Sequence, residues 1–193
     1  NKKFYSMVKK RTCIFISGQG SNLKNIIRHS RDKSFPINVN LVISNNKNAY
    51  GLIYAKKYKI PYIFINTKSK NSNNKILFHL KKNSISFICL AGYMKIISKR
   101  FIFNAKKKIL NIHPSLLPKY KGLNTFEKVV KNKEKKTGCT VHYVNEKLDG
   151  GKIINQKSFY INKEDNINVI KEKTQKLEYK AFPEAIVKIF RYI

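Results

Sequence analysis

The chain predicts an α/β protein with a doubly wound, mostly parallel sheet. Three observations carry that prediction: apolar runs of strand length, helical spacing between them, and polar or glycine breaks where each run ends. Strands apolar on both faces belong between two helix layers. At 193 residues, with 42% hydrophobic and 26% charged residues, the chain is long enough to bury one such core.

Arg11-Thr12-Cys13-Ile14-Phe15-Ile16 is the first run. It breaks into Ser17-Gly18-Gln19-Gly20-Ser21-Asn22, and Leu23 to Arg28 then shows helical spacing. Strand, glycine turn and helix start is the arrangement whose free amides favour an anion, although tight strand-to-helix turns need glycine in any case. Ile37 to Asn45 reads as a second strand, Ala49 to Tyr58 as a short helix, and Pro61 to Ile65 as a third strand. Asn66 to Asn74 is a polar loop whose lysines read as solvated surface. Lys75 to Lys82 is a helix and Ile85 to Gly92 a fourth strand. The next run ends in Asn111-Ile112-His113-Pro114. Asn124 to Lys133 is helical, Gly138 to Val144 alternates like a strand, and Asn145 to Gly151 is a turn. Ile153 to Tyr160 is the last strand, and Ile167 to Ile189 a closing helix that Pro183 interrupts. Residues 1–11 form a basic N-terminal extension, in which Met7 is a candidate start, and 12–193 a single domain. Ligands of doubly wound sheets bind beyond the carboxyl ends of the strands. Ser17–Asn22, Gly92–Ile97 and the Asn111/His113 strand all end there.

The net charge is +31, from 41 Lys+Arg against 10 Asp+Glu. Arginine, whose planar fork suits phosphate clamps and groove readers, occurs only at 11, 28, 31, 100 and 191. Lysines scattered among many Asn and Ile fit a genome biased towards A and T, so a nucleic-acid partner is not expected. The charge still favours an anionic small substrate. No apolar run reaches the roughly 18 residues of a membrane span. Cys13, Cys89 and Cys139 form neither a disulfide framework nor a metal spacing, so no metal is expected and the cytoplasm is the expected compartment.

Along a strand, Asn111 and His113 point to one side and Ile112 to the other. Pro114 keeps His113 extended. An amide that donates to a developing oxyanion and an imidazole that moves a proton suit acyl-type transfer. Asp149, in a Gly-Gly turn, reads either as a turn aspartate or as a carboxylate that raises the pKa of His113. His29 and His79 read as structural or solvated, and His142, alternating with apolar residues, as a structural histidine. Glu178, three residues after Gln175 on a lysine-rich helix, reads as a surface ion-pair residue.

Ser17-Gly18-Gln19-Gly20-Ser21-Asn22-Leu23, Ala91-Gly92-Tyr93-Met94-Lys95-Ile96-Ile97, Asn111 through Gly122, and Leu148-Asp149-Gly150-Gly151 are together similar to phosphoribosylglycinamide formyltransferases. The similarity runs in order from about Thr12 to Phe190. It implies a Rossmann-like formyltransferase domain at 12–193 that moves the formyl group of N10-formyltetrahydrofolate to the amine of glycinamide ribonucleotide in purine synthesis. It further implies that Asn111, His113 and Asp149 are catalytic, and that Gly20, Ser21, Asn22, Gln175 and Glu178 hold the ribonucleotide and its phosphate. Met94, Lys95, Ile96, Ile97, Asn111 and the run Asn145, Glu146, Lys147, Leu148, Asp149 would line the folate pocket. A monomer or weak homodimer is expected.

The chain departs from that pattern at Lys95, where arginine is frequent, at Asn124, where histidine is frequent, and at Lys121, where proline is common. A basic residue of the 66–74 loop aligns with Ser69, between Lys68 and Lys70. Methionyl-tRNA formyltransferase and formyltetrahydrofolate hydrolase are the alternative activities. They rank lower because their additional C-terminal and N-terminal domains are not expected here. The intact trio argues against an inactive relic.

Overall fold

The computed structural model describes residues 8–190. The expected start at Met7 lies outside them, as do residues 1–7 of the expected extension. Thirteen elements follow one another: β1 (Lys10–Ile16), α1 (Ser21–Ser30), β2 (Ile37–Ser44), α2 (Leu52–Lys57), β3 (Tyr62–Phe64), α3 (Ser72–Lys82), β4 (Phe87–Leu90), α4 (Lys99–Ala105), β5 (Lys108–His113), α5 (Thr125–Lys131), β6 (Lys136–Tyr143), β7 (Ile153–Tyr160) and α6 (Ile167–Phe190). The strands form one seven-stranded sheet in the order β3-β2-β1-β4-β5-β6-β7. β1 to β5 run parallel, whereas β6 and β7 are antiparallel to their neighbours. The order reverses between β1 and β4, which is where a doubly wound sheet opens a crevice.

Alternation along β1 sends Ile14 and Ile16 to one face and Cys13 and Phe15 to the other. The first face packs on α1 and α6, through Leu23, Ile26, Phe182 and Ile186. The second packs on α3 and α4, through Ile76, Leu80, Phe101 and Ala105. On β5 and β6, Leu110, Ile112, Cys139 and Val141 join the first core. The opposite face of these two strands therefore carries Asn111, His113, Thr140 and His142, a polar row that loops cover instead of a helix.

Most expected strands and helices are present, with differences at their ends. α4 has no counterpart among the expected elements; the Ser98 hydroxyl caps it by accepting from the Phe101 amide at 3.1 Å. α3 begins at Ser72, sooner than the expected Lys75. α2 is shorter than expected because Gly51, just before it, is held by the glycine turn after β1: its amide donates to the Gly18 carbonyl at 3.0 Å. α6 runs through Pro183 without interruption. Proline there deprives the Tyr179 carbonyl of its helical donor, and the Asn25 side-chain amide fills the gap at 2.8 Å.

Candidate active site

The β1–α1 turn has the strand, glycine turn and helix start that favour an anion. Gly20 caps α1 with φ 72, a left-handed conformation natural to glycine, and the helix then starts at Ser21. Free amides of this first turn face outward from the end of β1. The middle of α6 closes the other side: Gln175 Nε2 donates to Ser21 Oγ at 3.1 Å, and Asn22 Nδ2 donates to Glu178 Oε2 at 2.8 Å. Asn22 is buried, and its Oδ1 has no partner among the described residues.

Glu178 is thus no surface ion-pair residue. Burial pushes its carboxyl up to about 7, against the opposing pull of the Asn22 amide. The folded chain therefore holds a proton that the unfolded chain, with an ordinary value of 4.5, has released, and stability falls as pH rises from 4.5 to about 7. Glu178→Gln keeps an acceptor for Asn22 and cannot ionise. Its melting temperature is expected to match the wild type at the bottom of that window and to exceed it above the top, as a thermal melt at the two pH values will read.

Ser17 joins this seat to the β4 end. Its hydroxyl donates to Asn45 Oδ1 at 2.6 Å and accepts from the Met94 amide at 2.7 Å. Met94 and Ile96 are 65% and 79% exposed, unusual for large apolar side chains. Lys95 and Ile97 line a cavity of about 280 Å³ together with Lys68, Asn73 and Phe101. Lys68, not Ser69, is the basic member of the 66–74 loop that lines this cavity with Lys95.

The polar row of β5 and β6 forms the centre. His113 is 5% exposed and Ile112 6%, so both sides of the strand are covered, but by different material. His113 Nε2 donates to the Tyr120 carbonyl at 2.8 Å. A carbonyl only accepts, so Nε2 keeps its proton and Nδ1 is the atom that titrates. Nδ1 lies 3.5 Å from Asp149 Oδ2. Asp149 reaches this point because β6 leaves the sheet at Tyr143, opposite Leu110, and the 144–151 loop folds back over the face. The carboxylate is fixed there by the Gly122 amide, 2.8 Å from Oδ2.

His113 is held below the ordinary imidazole value, chiefly by burial, which outweighs the raising effects of the Tyr120 carbonyl and the Asp149 charge. Asp149 does raise the pKa, as expected, but the net direction is the reverse of the expected one. Burial works to raise the Asp149 carboxyl; the His142 ring, the Gly122 amide and His113 outweigh it and hold it below the usual carboxylate range.

His142 is the member that the alternation of β6 did not single out. It stands opposite Asn111 across the antiparallel pair. Its Nδ1 donates to the Tyr143 carbonyl at 2.8 Å, and its Nε2 lies between Asn111 Nδ2, 3.2 Å away, and Asp149 Oδ1, 3.6 Å away. Asn111 retains a second amide hydrogen for another acceptor. Behind the row, Thr140 Oγ1 donates to the Ser115 carbonyl at 2.6 Å, and Gln156 Nε2 donates to the Leu117 carbonyl at 2.9 Å, pinning the loop after β5.

The remaining folate-loop candidates are arranged around Asp149. Leu148 is half exposed. Asn145 Oδ1 accepts from the Lys147 amide at 2.9 Å and shapes the turn, while Glu146 pairs with Lys99 at 3.3 Å. No group of three or more His, Cys, Asp or Glu among the described residues is placed to hold a metal, and no described helix is long and apolar enough to cross a membrane.

Comparison with known proteins matches residues 10–186 to the formyl transferase family model. The phosphoribosylglycinamide formyltransferase of Haemophilus influenzae is 41% identical over 184 residues, covering 92% of this chain and 85% of that protein. The human trifunctional purine biosynthetic protein adenosine-3 is 39% identical over 92% of this chain, which spans only 18% of that longer protein. The crystal structure of phosphoribosylglycinamide formyltransferase from Brucella melitensis superimposes with a TM-score of 0.88 at 36% identity, over 95% of this chain and 96% of that one.

Proposed function

The chain belongs to the formyl transferase family, and on that premise we propose that it transfers the formyl group of N10-formyltetrahydrofolate to the amine of glycinamide ribonucleotide, a step of purine synthesis. The observation that carries this reading is the convergence of an anion seat and a His–Asp–Asn cluster at the ends of β1, β4 and β5. Exposed Met94, Ile96 and Leu148, together with a cavity edged by Lys68 and Lys95, suit a co-substrate with a planar ring system and a carboxylate tail. The ribonucleotide phosphate is assigned to Gly20, Ser21 and Asn22, and its ribose to Gln175 and Glu178, whose carboxyl is poorly suited to sit against phosphate.

Formyl folate supplies an electrophilic formyl carbon. As the amine nitrogen bonds to that carbon, Asn111 donates its free amide hydrogen to the oxygen on which negative charge develops. His113 takes the amine proton at Nδ1 and returns it to the departing N10 nitrogen. Asp149, ionised and 3.5 Å away, stabilises the imidazolium formed between those two transfers. His142 holds the Asn111 amide in the donating orientation. Both substrates are soluble metabolites, and the cytoplasm is the compartment proposed for the reaction.

The test offers the purified protein formyl folate with either glycinamide ribonucleotide or initiator tRNA. Turnover is expected with the ribonucleotide. Formylation of tRNA alone would replace this reading with the tRNA enzyme's, and donor hydrolysis independent of either acceptor would replace it with the hydrolase's.

A further inference from the structure

The acceptor that fixes the His113 ring belongs to a residue in an uncommon backbone state. Tyr120 has φ 55, a left-handed conformation that a non-glycine residue seldom adopts. Surrounding contacts must hold it there. Its own side chain does so at a distance from the site: Tyr120 Oη donates to Glu134 Oε1 at 2.7 Å and accepts from Asn132 Nδ2 at 2.9 Å. Glu134 also takes the neighbouring residue, with Lys119 Nζ at 2.9 Å and 3.2 Å from its two oxygens. The Lys119 carbonyl in turn accepts from Ser115 Oγ at 2.6 Å. One carboxylate between α5 and β6 thus grips two consecutive residues of the loop whose carbonyl receives the His113 proton.

We propose that Glu134 is a positioning residue for His113, acting through the Tyr120 hydroxyl to place the Tyr120 carbonyl that keeps the proton on Nε2. Glu134 touches no reacting atom in this scheme. Its carboxylate sets the loop conformation, the loop sets the carbonyl, and the carbonyl leaves Nδ1 as the free base facing Asp149. This rests on the reading of His113 as the proton carrier. The charged and titratable groups that face His113 are Asp149 from the 144–151 loop, His142 from β6 and Lys128 from α5. None of them is altered by changing Glu134 or Tyr120.

Four histidines are present, so ring nitrogen resonances can be resolved by NMR and His113 identified by its loss in His113→Ala. The wild type is expected to show the Nε2–H tautomer. Glu134→Ala and Tyr120→Phe are expected to mix the tautomers and to move the His113 titration to lower pH, because the carbonyl bond favours the charged ring. Both are expected to lower kcat about 10-fold, with KM for each substrate within about twofold, as for a catalytic group displaced by a fraction of an ångström. Glu134→Gln, which still offers an oxygen to the Tyr120 hydroxyl, is expected to recover most of the activity. Tyr120→Phe removes a single hydroxyl and covers the case in which Glu134→Ala fails to fold. An unchanged His113 tautomer and titration in the folded variants would overturn the proposal, and so would a kcat loss without either change. Full turnover by His113→Ala would overturn the underlying reading, and the proposal with it.

Discussion

His113→Ala and Asp149→Ala are each expected to lower kcat by about 100-fold or more, the range for losing a general acid–base group. The two are not equivalent. His113→Ala removes the atom that carries the proton, whereas Asp149→Ala leaves the ring bound to the Tyr120 carbonyl and removes the charge 3.5 Å from Nδ1. The pH profile separates them. Wild-type His113 is held below its ordinary value of 6.5 by burial, so it stays an unprotonated base at neutral pH and the acid limb of kcat/KM is expected below that value. Asp149 opposes the shift, and without it the limb is expected to move to still lower pH, with a lower plateau. Stopped assays with both substrates between pH 5 and 9 read both effects. Wild-type turnover by either variant would remove that residue from the mechanism.

The second large effect is structural. A Cβ on Gly20 would lie 2.4 Å from the Gly51 Cα, backbone against backbone, at a φ of +72. Gly20→Ala cannot relieve this by turning a side chain. Either the start of α1 shifts or the turn before α2 does, and the Gly51 amide that donates to the Gly18 carbonyl moves with it. A stability loss of about 1–3 kcal/mol is expected, the cost of a strained backbone site. Ribonucleotide KM is expected to rise at least ~10-fold as the amides of the turn lose their aim. Gly92→Ala is the control: φ is +74 there, but nothing lies within 4 Å of the added carbon. It bears only the left-handed cost of about 1–2 kcal/mol, which Gly20→Ala bears in addition to its backbone clash. Equal melting temperatures for the two variants would show that the close approach to Gly51 is immaterial.

What could be read from the chain alone follows from what is local. The strands announce themselves through apolar runs, and Asn111 and His113 through their two-residue spacing, because pleating fixes which way neighbours point. The orientation of His113 is not local. It comes from Tyr120, whose side chain is held across a helix by Glu134, and no spacing announces a main-chain carbonyl as a ring's partner. His142 alternates with apolar residues, as many core residues do. Only the antiparallel register that sets it opposite Asn111 distinguishes it. The burial of Glu178 is not local either. Its lysine-rich neighbours suggest solvent, whereas the packing of α6 on α1 turns its face to Asn22. A capping serine before α4 was a readable signal, in Ser98, that the charged Lys99-Arg100 start obscured.

Ser17, just past the end of β1, bridges the loops after β2 and β4, one hydroxyl between Asn45 and the Met94 amide. Neighbouring strands lie about 4.8 Å apart, so this oxygen works as a gauge between the seats proposed for acceptor and donor. The pitch at which an amine meets the formyl carbon is then a property of the backbone and not of either substrate. Water competes for the same carbon but carries no phosphate by which to be anchored. An amine carried by a phosphate-anchored ribonucleotide arrives already aimed. Preference for transfer over hydrolysis is, on this view, a matter of metrology set at the end of the first strand.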